Sequence, residues 1–64
     1  MYKFIIQNTD YEKVGGVELP VIPKKGNLIK ITTENETLWG EIKYIHFATK
    51  KNIFTHIELV CVGV

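Results

Sequence analysis

LWGEIKYIHFATKKNIFTHIELVCV, residues 38–62, is the stretch on which the fold turns. Residues 38–47 and 52–62 are rich in Ile, Val, Thr and aromatic side chains. Each reads as a strand of about ten residues, longer than the usual five or six, with ATKKN (residues 48–52) as the link. Strands of that length in a 64-residue chain must twist and bend. The alternation shows where. Leu38, Gly40 and Ile42 fall on one face, but Ile45 and Phe47 fall on the opposite one. A β-bulge near Lys43 and Tyr44 reconciles them, because one extra residue flips every later side chain. Gly40, having no Cβ, marks a place for close approach of another backbone.

Apolar content then suggests a register for this hairpin. Pairing Phe47 with Ile53 gathers Ile45, Phe47, Ile53, Thr55, Ile57 and Leu59 on a core face. It leaves Tyr44, His46, Phe54, His56 and Glu58 on the other, with His46 opposite Phe54 and His56 opposite Tyr44.

Upstream, YKFIIQ (residues 2–7) reads as a strand at the sheet edge, with Tyr2, Phe4 and Ile6 on one face. NLIKITT (residues 27–33) reads as another, with Ile29 and Ile31 pointing one way and Leu28, Lys30 and Thr32 the other. ENET (residues 34–37) is a polar hairpin turn. Between the first two strands runs a long connection, residues 8–27, punctuated by Gly15, Gly16, Pro20, Pro23 and Gly26. It reads as a loop with a flexible Gly-Gly tip. The prolines make ELPVIP an extended outer segment, whose Val21 and Ile22 are placed to plug a barrel end. The expectation is one all-β domain over residues 1–64, a small bent sheet or barrel of about five strands with a long first loop.

A chain of this size buries only about 60% of the surface its unfolded form exposes, so its core is thin. Its single cysteine, Cys61, rules out an intramolecular disulfide, which leaves self-association as the expected support. One thiol and no leader-like N-terminus fit a cytoplasmic protein, and no run approaches the roughly 20 apolar residues of a membrane span. The formal charge is only +1, from eight lysines and no arginine against seven acids. Such a chain lacks both a strong field for polyanions and the planar fork that reads guanine and phosphate, which moves nucleic acid down the list of partners.

Pro23, Gly26, Asn27 and Ile29, followed by Gly40, Ile42 and Ile45, resemble the opening of small SH3-like barrels, where a P-x-x-G-D-x-V lead-in precedes a bent strand. Asn27 stands where Asp is commoner. The resemblance spans residues 20–62 and implies that fold, with no particular activity attached to it. In size and style the chain is also similar to the small proteins that phages and mobile elements encode.

Chemistry-bearing residues are few. His46, His56 and Glu58 offer three metal-ligand types, but their spacing matches no zinc pattern, and the histidines read as polar cover for a half-wet sheet face. Cys61 and His56 are five apart, hence on opposite faces of a strand, so no thiol–imidazole pair forms; no catalytic residue and no cofactor is expected. Binding is the stronger theme. Tyr11 lies on the long loop, Lys24, Lys25, Lys50 and Lys51 mark two basic turns that would converge on a phosphate, and Trp39 is a residue type favoured at interfaces. Val60, Val62 and Val64 share a parity with Phe54, so the last strand is apolar on both faces. These four are the expected subunit interface. The sequence therefore points to a non-enzymatic, self-associating binding or adaptor protein with a macromolecular partner. A protein sequestering a small anionic ligand and a weak nucleic-acid module are the alternatives.

Overall fold

β-branched and aromatic alternation forms strands throughout the computed structural model, which describes residues 1–32 and 34–64. The strands are β1 (Tyr2–Gln7), β2 (Lys13–Leu19), β3 (Leu28–Thr32), β4 (Thr37–Lys50) and β5 (Ile53–Val62). They make one sheet in the order β2-β1-β5-β4-β3, nearly closed into a barrel and compatible with an SH3-like fold. β1 runs parallel to β5, and every other pair is antiparallel. No helix occurs among the described residues, and so none long and apolar enough to cross a membrane.

The barrel interior is filled from four strands by Phe4, Ile6, Ile29, Ile31, Ile42, Ile57, Leu59 and Cys61. Phe4 pairs with Ile57 and Ile6 with Leu59, which pair in turn with Phe47 and Ile45, so period-2 alternation delivers one layer after another to the same side. The bulge falls where alternation required it. Ile42 pairs with Cys61 and Tyr44 with Val60, leaving Lys43 as the extra residue. Gly40 is buried because the chain end returns over it. Gly63 adopts a left-handed φ of 97°, and a Cβ built on Gly40 would lie 2.8 Å from Val64 Cγ1 and 2.9 Å from Cys61 Cβ. The close approach is made by the C-terminal tail.

Three expectations are corrected. β1 is an inner strand, because residues 13–19 of the expected loop form β2 on its outer side. An edge strand needs hydrogen bonds on one side only, which tolerates Gly15 and Gly16 within it. A Cβ on Gly15 would lie 3.9 Å from the Ile31 side chain, so this glycine stands at the seam where β2 nears β3. Val21 and Ile22 plug nothing: both are exposed, β2 having ended at Leu19 before the prolines. Thr33 lies outside the described residues.

The register of the β4–β5 hairpin is the third correction. Lys51 and Asn52 both take left-handed φ, 51° and 65°, making a two-residue turn of the type whose twist suits a hairpin. Lys50 therefore pairs with Ile53, and a second shift, between Ala48 and Thr49, leaves Thr55 unpaired. Phe47 faces Ile57, His46 faces Glu58 and His56 faces Ala48. Of the expected core face, Ile57 and Leu59 are buried and Ile45 half-buried, whereas Phe47, Ile53 and Thr55 are exposed. The cause is a lack of neighbours. β1 reaches β5 only from Ile57 onward, and β3 reaches β4 only up to Glu41. Residues 47–56 therefore project as a two-stranded arm. The molecule measures 36 × 22 × 20 Å, and five extended residues at about 3.3 Å each account for the excess length.

Candidate functional site

The outward side of the sheet carries the polar and aromatic groups that alternation turns away from the core. Three strands supply a row, Gln7–Val60–Tyr44, and beside it Ile5–Glu58–His46. Residues 8–12 then bring Tyr11 onto it. Asn8 organises this loop: its Oδ1 accepts from the amides of Asp10 (2.9 Å) and Glu12 (3.0 Å), while its backbone C=O accepts from Tyr11 N–H at 3.0 Å. The result holds Tyr11 at φ 63°, a left-handed conformation that costs a side-chain-bearing residue about 1–2 kcal/mol.

Tyr11 is 57% exposed and stacks on His46, with ring centroids 6.1 Å apart and planes 19° apart. His46 stacks in turn on Tyr44 at 6.1 Å and 18°. β5 lies between β1 and β4, so a ring leaving the end of β1 to reach His46 must cross it at Val60. Val60, between Gln7 and Tyr44 in the row, is 1% exposed although it lies outside the core cluster. Gln7, beside Val60 in the row, has a buried Oε1 with no hydrogen-bond partner among the described residues.

Lys25 extends the row. Asn27 Oδ1 accepts from Lys24 N–H at 2.7 Å. Gly26, at φ 92°, donates its N–H to the Ile42 C=O at 2.8 Å, and Ile42 N–H donates to the Asn27 C=O at 2.9 Å. This turn, docked beside the bulge, sets Lys25 Nζ 5.9 Å from the Tyr44 ring centroid. Further along the same outward side, Trp39 pairs with Lys30, whose Nζ lies 5.4 Å from the indole centroid. Each contact is worth about 0.5–1 kcal/mol at an exposed site, too little to be a reason for the rings to stand in water.

The other candidate groups separate. Lys50 and Lys51 sit at the arm tip, six or more strand residues from Tyr44 and hence about 20 Å from Lys25, so the two basic turns do not converge. Of the expected interface residues, Val60 is covered by its own chain and Val64 packs against the core over Gly40; Phe54 and Val62 are exposed. Val60 and Val64 thus make intramolecular contacts, Val64 because the short tail folds back over Gly40.

His56 is held at both nitrogens, by Thr55 Oγ1 at 3.1 Å and by Glu58 Oε2 at 3.2 Å. Thr55 Oγ1 also lies 3.2 Å from the Ala48 C=O, so its one proton has both a carbonyl and an imidazole nitrogen within reach. The trio stiffens the root of the arm. His56 also borders a shallow depression of about 450 Å³ lined by Lys3, Ile5, Gly16 and Glu18. Opposite charges line it, Lys3 being in register with Glu18. Cys61 lies on the opposite face, buried, its thiol pushed above the ordinary 9.0 by desolvation, the reverse of an activated nucleophile. Among the described residues no three His, Cys, Asp or Glu side chains gather as metal ligands.

Of the residues the sequence offered for binding, Tyr11, Lys25 and Trp39 come to this outward row; Tyr44, His46 and Lys30, which complete it, were not among them. The signal for Lys30 and Trp39 was present in the alternation that set both outward. The signal for Tyr11 was Asn8, a side chain suited to bond the amides that follow it. No family model, curated protein or solved structure matches the chain, so the site is read from its own chemistry.

Proposed function

We propose that this chain is a non-enzymatic binding module that associates with a second copy of itself and acts by occupying a macromolecular partner. The observation that carries the reading is the β4–β5 arm. Phe47, Ile53 and Phe54 are 59, 70 and 53% exposed on it, clustered within eight residues. Beyond Glu41 on β4 and before Ile57 on β5, the outer backbone edges pair with no strand among the described residues. Open edges bearing large apolar side chains favour addition of another strand. An identical arm suits them, because antiparallel pairing about Phe47 sets the two Lys50/Lys51 tips at opposite ends, where like charges do not meet.

Sedimentation over a concentration series tests the self-association. A dimer is expected at micromolar concentration and a monomer for Phe47→Ser. A wild-type chain that stays monomeric at several hundred micromolar would remove this part of the reading.

A second reading, binding of an anionic ligand, is favoured by the lysines seated over Tyr44 and Trp39.

A further inference from the structure

Trp39 and Tyr44 stand on one side of β4, His46 follows Tyr44, and Tyr11 closes the row from the loop after β1. We propose that this row is a stacking platform for single-stranded nucleic acid, with Lys25 and Lys30 meeting its phosphates. The proposal rests on the reading of the chain as a binding module, though not on its self-association.

The two kinds of side chain together define the ligand. Exposed rings take flat π-faces, and the ammonium groups of Lys25 and Lys30, seated over Tyr44 and Trp39, take anions. A single nucleic-acid strand repeats both features at every residue, whereas a duplex hides its base faces and an acidic peptide has none. The spacing suits several nucleotides: Trp39 and Tyr44 are separated by two outward positions across the bulge, about 13 Å. Charge bounds the same stretch. Lys24, Lys25, Lys30 and Lys43 lie along it with Glu41, while acids stand at both ends, Glu34 and Glu36 on the turn before Trp39 and Asp10 and Glu12 beside Tyr11. A short site follows. With no arginine fork to read base edges, binding tolerates many sequences.

The backbone at Tyr11 supplies an independent reason. A left-handed position is easiest for glycine, yet an exposed tyrosine is held there by three hydrogen bonds to Asn8. The strain serves to place a ring over His46.

The test uses the full chain and fluorescein-labelled dT12, read by anisotropy and by quenching of the single tryptophan, Trp39. Micromolar binding with quenching is expected. Two phosphate contacts give a salt slope of about −1.4, so raising salt from roughly 50 to 200 mM weakens binding roughly sevenfold. Lys25→Gln lowers that slope by about half. Tyr44→Ala weakens binding roughly tenfold. Tyr11→Gly weakens it as well, while the melting temperature stays level or rises, which separates a lost ring from a damaged fold. Absence of quenching, salt-independent binding, or equal affinity for a duplex overturns the proposal. So does polyglutamate binding as tightly as dT12, which would assign the face to an acidic protein. A dimer that ignores dT12 would leave the self-association intact and sink this inference alone.

Discussion

The barrel half and the arm half of the β4–β5 hairpin are built from the same kinds of residue and end in opposite states. Leu59 and Cys61 are fully buried, whereas Phe47 and Phe54, a few residues along the same two strands, are more than half exposed. All lie on one side of the sheet, since Phe47 pairs with Ile57 and Thr49 with Phe54 in step with Ile45 and Leu59. The difference is the presence of β1 and β3 alongside. An apolar side chain is buried by strands that curl over it, and its own hydrophobicity settles only where burial would be favourable.

Truncation in the two halves is the sharpest way to break this comparison. Leu59→Ala removes a fully buried side chain and costs about 2–5 kcal/mol. A chain of this length is stabilised by only about 3–10 kcal/mol, so urea titration is expected to find the variant unfolded or close to it. Gly40→Ala comes next. Its new Cβ meets Val64 and Cys61 at under 3 Å, and overpacking costs about 1–3 kcal/mol unless the tail lifts. Deleting Val64 as well is expected to restore part of the loss; no restoration would mean that the tail is not what seals this end.

Smaller effects belong to chemistry and to the arm. The raised Cys61 thiol makes the folded state the more reluctant one to ionise. Stability from this group is therefore complete below pH 9, the unfolded value, and falls as pH rises beyond it. Thiol titration of native protein with a disulfide reagent is expected to be slow and to speed up with urea. Fast labelling without denaturant would show that the barrel end is open. Phe54→Ser costs about 0.5 kcal/mol in dilute protein, because no cavity forms, and its readout is mass rather than melting. The least effect is expected at the turn, where Lys51→Asn relieves a left-handed lysine by under about 1 kcal/mol. If it destabilises instead, the tip is not the two-residue turn described.

Much of the architecture was legible in advance because strand periodicity is local. Tyr2–Gln7 and the faces of Ile29 and Ile31 needed only alternation, and the bulge at Lys43 followed from its one interruption. β2 was missed because Gly15 and Gly16 lower its local signal, and its existence depends on β1 offering an edge. The register was missed because neither Lys51 nor Asn52 is glycine, and the second bulge leaves no break in apolar parity to betray it. Of the ring row, Tyr11, Lys25 and Trp39 carried a local signal; that Tyr11 meets His46 did not, since the loop crosses a strand to get there.

By itself, then, the order of residues determined an all-β chain, most of its strands and which side of each is apolar, since a strand's two faces follow from its own alternation. Tertiary structure alone decided which apolar side chains find cover, burying Val60 on the outward side, folding Val64 over Gly40 and leaving Phe47, Ile53 and Phe54 in water. Cover depends on strands distant in sequence, and no local pattern records where those strands stop.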